Sequence, residues 1–429
     1  MTIVRAILGI VFLVSIAWIF SVNRRAIRWQ FVLIGIAIQA IFGILITKVE
    51  LATTIFNGLS EAFVKMLSFT NEGTKFLFGS LVTGNLGFIF ALNVLPTVIF
   101  FSTLTAGLYH LGILQRIVSG IAWFMTRALK LSGAESLSMA GNIFLGQTEA
   151  PLLVRPFIKD MTRSELMCLM TGGMATIAGG VLAGYVLFLG GDSVEEQNKY
   201  AAYLLSASFM NAPAAIVFSK IMIPETQFDK ISREVKINSE TEAVNLIDAF
   251  ARGASEGLKL ALNIGAMLLA FIALIALANF LLKHLIGEVT GLNPLISKAT
   301  NGRFEGLSLQ YVLGSIFRIF AFAMGVDWHE TLEVGSLLGQ KTVINEFVAY
   351  FELSKLKEAG ILSPKAEVIS AYALCGFSNF SSIAIQIGGI GGMAPNQQGN
   401  LSKLGMRALL AASLATMLTG TLAGLLVSP

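Results

Sequence analysis

An amide, a hydroxyl and a carboxylate stand side by side at Gln147, Thr148 and Glu149, within an otherwise apolar part of the chain. An ionised carboxylate in hydrocarbon is costly, so an acidic residue in such a place is a candidate for function. The three side chains can both donate and accept hydrogen bonds, whereas an anion would call for arginine or lysine. These residue types therefore predict a site for a polar, uncharged molecule rich in hydroxyl or amide groups.

Glu346 belongs to a second group of the same kind. Asn345 precedes it, and Asn379 and Ser382 follow further along the chain within a polar interruption of an apolar run. Phe377 lies beside Asn379 and is suited to stacking on a planar ring. The second group has the same chemistry as the first, so both are predicted to contact one neutral solute.

Oxygen-bearing residues close to the first group suggest a cation site. Asn142 lies about one helical turn before Gln147, and Thr176 and Ile177 adjoin the glycines of the next apolar run. Side-chain oxygens and unwound backbone carbonyls form the kind of cage that holds a monovalent cation. An interhelical hydrogen bond for Asn142 and a bond from Thr176 to its own helix are the alternatives, and the spacing alone favours them.

Other roles for the two glutamates remain open from the sequence. Each carboxylate has a structural ion pair as its alternative, for example Glu149 with Arg155 or Lys341. Glu149 and Glu346 are also the candidate acid/base pair of an intramembrane enzyme, although the sequence offers no nucleophile motif or metal-ligand cluster to complete one. A channel or receptor is the third class considered.

Composition requires these residues to sit in a membrane protein. Of 429 residues, 55% are hydrophobic and 13% are charged, and soluble proteins carry roughly twice that charged fraction. Eight uncharged runs approach or exceed the roughly 18 to 20 residues that cross a bilayer as a helix; they cover residues 6–23, 29–47, 76–115, 166–191, 200–219, 260–282, 368–402 and 408–429. The sequence therefore predicts an all-α polytopic protein with about eight transmembrane helices.

Basic residues give the predicted orientation. Arg24, Arg25 and Arg28 follow the first run, which is too long for a signal-peptide core, so that loop is predicted to be cytoplasmic. With eight spans both termini then lie outside, although the basic residues after position 283 do not follow the rule well. Cys168 and Cys375 lie within apolar runs and predict neither a disulfide nor a metal site.

Some apolar segments are too short to cross the membrane. In residues 133–159, two arms of about ten residues, roughly half a bilayer each, flank "GQTEAP", which is bounded by Gly146 and Pro151. This pattern predicts a re-entrant hairpin with its tip in protein or an aqueous cavity. A second such region spans residues 306–351, with Glu346 at its tip. Residues 49–80 and 109–130 are predicted to be amphipathic interfacial helices.

The two hairpins are followed by similar interrupted runs, "TRSELMCLMTGGMATIAGG" and "SPKAEVISAYALCGFSNFSSIAI", at an offset of about 200 residues. By the loop charges the two hairpins enter from opposite sides. Broken segments in two oppositely inserted halves favour a transporter whose site lies at the interface between the repeats.

Four motifs resemble those of the concentrative nucleoside transporters in order and spacing: "GNIFLGQTEAPLLVRPF", "ATIAGGVLAGY", "KTVINEFVAY" and "ALCGFSNFSSIAI". "NEGTKFLFGSL" and "LNIGAMLLAFIALIAL" are also similar to that family, so the resemblance covers nearly the whole chain. It implies a short bacterial form in the cytoplasmic (inner) membrane, assembled as a homotrimer. It also implies secondary active import of uridine-like nucleosides by an elevator movement, with no cofactor and no nucleic-acid partner.

The resemblance also implies roles for individual residues. Gln147, Thr148 and Glu149 would contact the nucleobase, with Val181 nearby. The ribose would be held by a second set, and sodium by a third: Glu346, Asn379 and Ser382, with Phe377 beside them, and Asn142, Leu145, Thr176 and Ile177.

Some family members couple transport to protons. Their first tip tends to lack the proline and the asparagine that stand here as Pro151 and Asn142. The chain is therefore more similar to the sodium-coupled branch, with a proton-coupled transporter of the same fold as the alternative.

The organisation expected on this basis has a scaffold and a transport part. The predicted boundaries are residues 1–110 for spans one to three with an interfacial helix, 111–132 for an interfacial helix, 133–222 for the first hairpin and spans four and five, 223–300 for the cytoplasmic loop and span six, and 301–429 for the second hairpin and spans seven and eight.

Overall fold

A computed structural model describes residues 3–83, 89–234 and 243–426, and the regular elements in those ranges are helices. Residues 84–88 of the predicted third span lie outside the described residues. So do residues 235–242, in the predicted cytoplasmic loop with Lys236, and the first two and last three residues of the chain.

Within residues 3–83 and 89–129, two segments have membrane length and two helices are amphipathic. The elements are α1 (Ile3–Ile19), α2 (Trp29–Lys48), α3 (Glu50–Phe78), α4 (Ser80–Thr83), α5 (Phe90–Asn93), α6 (Leu95–His110) and α7 (Ile113–Leu129). In α7 the residues Leu114, Val118, Ala122, Met125 and Leu129 are buried, a spacing of three and four that gives one apolar face. Both predicted interfacial regions are thus helical.

The middle of the chain forms the first repeat. Its elements are α8 (Gly133–Asn142), α9 (Arg155–Ile158), α10 (Arg163–Ala175), α11 (Gly179–Gly190) and α12 (Val194–Met222), with a 3-10 turn at Ala150–Val154 before α9. The starts of α8 and α10 are fixed by capping boxes, Ser132 with Glu135 and Thr162 with Glu165. In both, the glutamate returns to the backbone N–H of the capping residue, at 3.1 and 2.9 Å.

The remaining elements are the long helix α13 and the second repeat. They are α13 (Leu246–Leu281), followed by a π-helical turn (Leu282–Glu288), α14 (Leu292–Ala299), α15 (Leu309–Ala323), α16 (Thr331–Val343), α17 (Glu346–Glu358), α18 (Pro364–Leu374), α19 (Phe380–Met393) and α20 (Gln398–Leu426). The amphipathic helix α7 precedes the hairpin, broken helix and long helix of the first repeat, and α15 precedes the same elements of the second repeat.

One boundary of the second hairpin differs from the sequence prediction. The hairpin was placed at 306–351, but residues 309–323 form a separate helix, α15, and the two arms are α16 and α17. Ser308 caps the start of α15, and Gly325, with φ of 100°, lies in the turn that follows it. The chain turns there, so α15 packs beside α16 as α7 packs beside α8.

Membrane-length helices account for most of the predicted spans. Six described segments are long and apolar enough to cross a bilayer, namely Trp29–Lys48, Phe90–His110, Arg163–Gly190, Val194–Met222, Leu246–Glu288 and Pro395–Leu426. The first predicted span corresponds to the shorter helix α1, of 17 residues, and the seventh to the broken pair α18 and α19. Together these eight segments match the eight uncharged runs in order.

The core lies between the long helices of the two repeats. Helices α10, α12, α18 and α20 pack against one another and are mostly buried, whereas α13 exposes most of its surface. Helix α13 packs closely on α6 through Gly253 and Gly257, because a Cβ atom on either glycine would come within 2.8 Å of the α6 backbone. Small residues allow this close approach of two helices in a membrane.

A buried ion pair joins three elements of the first repeat. Lys220 of α12 pairs with the Glu135 carboxylate of α8 and donates to Ser164 Oγ of α10 at 2.9 Å. We expect Glu135→Gln to lower the free energy of unfolding by about 3 to 5 kcal/mol, because Lys220 would keep a buried charge without its partner. Thermal unfolding in detergent measures this. Glu72→Gln, in the exposed pair with Lys75, is the control and should change stability by less than about 1 kcal/mol.

Candidate functional site

A short non-helical tip joins the two arms of each hairpin. Glu149 is the last residue of the first tip, and Glu346 directly follows the second. In the first tip, Gly146 O accepts hydrogen bonds from the backbone N–H groups of Glu149 and Ala150, at 3.2 and 3.0 Å. In the second, Asn345 caps α17, because its side chain accepts from Val348 N at 3.0 Å. These local bonds set the turn that carries each carboxylate.

The two broken helices meet at their interruptions. Helix α10 ends at Ala175 and α11 begins at Gly179, while α18 ends at Leu374 and α19 begins at Phe380. The backbone N–H of Phe377, in the second break, donates to Thr176 O in the first at 3.3 Å. Gly179 N also donates to Phe144 O of the first tip, at 3.2 Å. The first tip and both breaks therefore share one place in the fold.

A series of three hydrogen bonds, two between side chains and one from a backbone N–H group to a side chain, extends from the first tip to the second. Gln147 Nε2 donates to Ser382 Oγ at 3.1 Å, and Ser382 N donates to Asn379 Oδ1 at 2.9 Å. Asn379 Nδ2 then donates to Glu346 Oε2 at 2.9 Å. Four of the predicted solute-contacting residues are thus linked by hydrogen bonds, and the bond between Gln147 and Ser382 joins positions 235 apart in the sequence.

The predicted residues differ in how open they are. Gln147, Glu346, Asn379 and Ser382 are buried, Thr148 and Phe377 are half-buried, Glu149 is exposed, and Val181 is buried. Neither glutamate forms an ion pair with a basic side chain within residues 3–83, 89–234 and 243–426, so the pairs of Glu149 with Arg155 or Lys341 are not formed. Carboxylates without cationic partners remain available as hydrogen-bond acceptors.

Tyr185 and Gln386 belong to this cluster but were missed from the sequence. Tyr185 OH donates to Glu346 Oε1 at 2.9 Å, and its ring stacks on Tyr350 with a centroid separation of 4.3 Å. Gln386 Nε2 donates to Gln147 Oε1 at 3.2 Å. Each is a polar side chain inside an apolar run, the same signal that identified the glutamates. Val181 lies one helical turn before Tyr185 on the same face of α11.

Two of the four predicted cation ligands, Asn142 and Thr176, lie against the same residue, Gly172. Asn142, Leu145, Thr176 and Ile177 are all buried, and a Cβ atom on Gly172 would lie 3.2 Å from Asn142 Nδ2. Thr176 Oγ1 donates to Gly172 O at 2.9 Å, which is the bond to its own helix that the sequence favoured. Its lone pairs can still accept or coordinate.

Asn142, unlike Thr176, does not form the hydrogen bond considered for it. Its amide nitrogen and oxygen are both buried without a hydrogen-bond partner in the described part of the chain, so the interhelical bond considered for it is not formed. Burying an amide without hydrogen-bond partners costs free energy, so the presence of Asn142 at this position needs a separate explanation.

Comparison with protein families agrees with this arrangement. The family model for the N-terminus of Na+ dependent nucleoside transporters matches residues 8–81, and the model for nucleoside recognition matches residues 91–192. The model for the C-terminus of Na+ dependent nucleoside transporters matches residues 203–424, which by itself is more than half of the chain. The chain belongs to the concentrative nucleoside transporter family. The interpretation as an intramembrane enzyme is therefore wrong, because the family consists of transporters.

Similar proteins cover the transporter from end to end. An uncharacterized transporter of Bacillus subtilis strain 168, YutK, is 42% identical over 428 residues and covers all of both chains. The nucleoside permease NupC of Helicobacter pylori is 38% identical and covers 98% of this chain and 97% of its own. The structure of CNTnw in an inward-facing substrate-bound state superposes with a TM-score of 0.87 at 39% identity, over 99% and 98% of the two chains. The all-α membrane fold is thus confirmed.

Proposed function

We propose that this transporter imports uridine-like nucleosides into a bacterial cell by symport with sodium. The observation that carries the proposal is the continuous set of hydrogen bonds from Gln147 to Glu346, which joins the two hairpin tips through the first turn of α19. A nucleoside has a planar base and a sugar with hydroxyl groups, and it matches a site with amide groups on one side and a carboxylate on the other.

The first tip would contact the nucleobase. Gln147 offers both a donor and an acceptor to the edge of a base, and Thr148 and Glu149 are the less buried members of the group. Val181, one turn from Tyr185, would supply an apolar contact to the ring. This assignment is supported by the openness of Thr148 and Glu149 beside the buried, hydrogen-bonded Gln147.

The second tip would hold the ribose. Glu346 already accepts from Tyr185 and Asn379, so its two oxygens are fixed in direction and each retains a lone pair for a sugar hydroxyl. Ser382 and Asn379 complete the polar face, and the half-buried Phe377 would pack beside the sugar or base. Tyr185 would act as a positioning residue, since it contacts the carboxylate and is itself packed against Tyr350.

Sodium would bind between the first hairpin and the first broken helix. Asn142 and Thr176 supply side-chain oxygens, and Leu145 and Ile177 supply backbone carbonyls at the positions where the helices are interrupted. Hard oxygen ligands of this kind suit a monovalent cation. Because the same tip carries Gln147, sodium binding would order the base-binding residues, and linkage requires that the nucleoside in turn strengthen sodium binding.

Transport would proceed by an elevator movement of one part of the chain against another. The moving part would comprise residues 133–222 and 301–429, and the scaffold residues 1–110 and 223–300, with the interfacial segment 111–132 between them. Helix α13 supports a scaffold role because it presents exposed apolar side chains along its length, including Leu262, Leu269, Ile272, Leu277 and Phe280. Lipid and two further copies of the chain would cover this surface in a homotrimer in the cytoplasmic membrane, with both termini outside.

Uptake into proteoliposomes tests the proposed coupling. An inward sodium gradient is expected to drive accumulation of labelled uridine, and replacing sodium with choline on both sides should abolish accumulation. Nucleoside recovered from the lumen should be chemically unchanged. Equal accumulation driven by an inward proton gradient in sodium-free buffer would contradict sodium coupling and support the proton-coupled alternative. Uptake that only equilibrates in a sodium gradient would contradict active transport.

A further inference from the structure

One charged side chain in the second repeat has no role in the scheme above. Lys341, in the last turn of α16, is almost fully buried, with 2% of its surface exposed. Its ammonium donates to Ala373 O at 2.8 Å and to Thr416 Oγ1 at 2.9 Å. It forms no ion pair with a carboxylate in the described part of the chain. A buried, unpaired lysine is costly, so its retention needs an explanation.

The position of Lys341 in the repeat supplies that explanation. Arg163 opens α10 and Pro364 opens α18, and Gly172 and Ala373 stand at the same distance from these starts. In the first repeat, the last turn of the hairpin arm places Asn142 against Gly172. In the second repeat, the last turn of the corresponding arm places the Lys341 ammonium on the carbonyl of Ala373.

Both places have the same chemistry. Each is the C-terminal end of a half-helix, where carbonyl groups that no longer have helical partners attract a cation. In transporters built from inverted repeats, such ends coordinate the coupling ion. A lysine ammonium is a compact monovalent cation with three donors, so it can satisfy a carbonyl and a hydroxyl as a bound sodium would. It differs in being covalently attached and unable to dissociate.

We propose that Lys341 is a tethered cation: its ammonium fills, in the second repeat, the place that sodium fills in the first. The inference rests on the proposed sodium symport and adds its stoichiometry. One sodium ion, rather than two, would accompany each nucleoside, because the Lys341 side chain occupies the second cation position.

The proposal also accounts for a difference between the two tips. The second tip, with Glu346 held by Tyr185 and Asn379, is ordered by bonds within the protein. The first tip is also held by hydrogen bonds, from Gln147 to Ser382 and from Gln386 to Gln147, but the Asn142 amide beside it has no partner in the described part of the chain, and an ion there would supply one. Coupling would therefore reside in the first repeat, while the second repeat keeps a fixed sugar-binding carboxylate.

Accumulation at equilibrium measures the stoichiometry directly. With the membrane potential clamped at zero, one sodium per nucleoside gives about tenfold nucleoside accumulation for a tenfold sodium gradient, and two give about a hundredfold. We expect about tenfold for the native chain and a shift toward a hundredfold for Lys341→Gln, whose amide oxygen could help to ligate a second sodium. Lys357→Gln, on the other arm of the same hairpin, is the matched control for loss of a positive charge and should stay near tenfold.

Stability in detergent provides a second measurement if transport by the variant is slow. An ion that binds only the folded state stabilises it in proportion to the logarithm of its concentration above its Kd. The slope of unfolding free energy against log sodium should therefore double in Lys341→Gln and in Lys341→Asn, which copies the residue of the first repeat. Variants that stay unfolded in saturating sodium contradict the proposal, because sodium should replace the ammonium.

The outcomes separate this inference from the proposed function. A native chain that shows no sodium-driven uptake refutes the symport itself. A native chain that accumulates nucleoside about tenfold, with variants of Lys341 that show the same ratio and the same sodium slope, refutes the tethered cation alone.

Discussion

Replacing Glu346 with glutamine is expected to weaken nucleoside binding roughly 30- to 700-fold, equivalent to about 2 to 4 kcal/mol. The carboxylate accepts from two donors, Tyr185 OH and Asn379 Nδ2, one on each oxygen. A glutamine has one oxygen and one NH2 group, so one of those donors would face another donor. The substitution thus removes one of the two oxygens that could accept a hydrogen bond from the sugar. It also disturbs the hydrogen bonds that orient the remaining oxygen.

Binding of labelled uridine to the purified protein at saturating sodium measures this effect without depending on transport rate. Glu352→Gln is the matched control, because Glu352 lies on the same helix α17 but contacts Lys355 at 3.8 Å, outside the hydrogen-bonded cluster. The control should bind with native affinity. Native affinity in Glu346→Gln as well would remove Glu346 from the solute site.

The membrane spans and the positions of the hairpin tips could be predicted from the sequence alone. Long uncharged runs can only be satisfied as helices in a bilayer, so the eight runs correspond in order to eight helical segments. Gly146 and Pro151 mark the first tip because they interrupt a helix for opposite reasons, one by flexibility and one by the loss of a donor. These are local effects, and they were therefore visible without a fold.

Other features depend on partners that are distant in the sequence. Tyr185 and Gln386 are single polar residues in apolar runs, and their importance arises from contacts with Glu346 and Gln147 more than 150 positions away. The separate helix α15 was merged with the second hairpin because its apolar composition resembles that of an arm. Only the turn at Gly325 distinguishes the two.

The cation site shows a further limit of sequence reasoning. Spacing favoured ordinary hydrogen bonds for both Asn142 and Thr176, and the structure forms that bond for Thr176 only. Whether an amide finds a partner depends on the packing of neighbouring helices, which no local pattern specifies. The absence of a partner for Asn142 within the described residues is therefore the observation that makes the sodium role worth testing.

Replacing Asn142 with alanine is expected to raise the sodium concentration for half-maximal uptake roughly 10- to 100-fold, the cost of losing one ligand to a charged group. Most substitutions in a protein core lower stability, but Asn142→Ala is not expected to do so in sodium-free buffer. Because the Asn142 amide is buried without a partner, removing it eliminates a desolvated polar group and breaks no hydrogen bond in the described structure. In sodium-free buffer the unfolding temperature of Asn142→Ala should therefore equal or exceed that of the native chain.

Asn211→Ala is the matched control for this prediction. Asn211 is also fully buried, but its Nδ2 donates to Cys375 O at 2.6 Å in the second break. Its replacement should lower the unfolding temperature and leave the sodium dependence of uptake unchanged. If Asn142→Ala instead lowers stability without sodium and keeps native sodium dependence, Asn142 is a structural amide and sodium is held elsewhere. Since linkage couples the ion to the solute, a true ligand loss must also appear as weaker nucleoside binding at low sodium that saturating sodium restores.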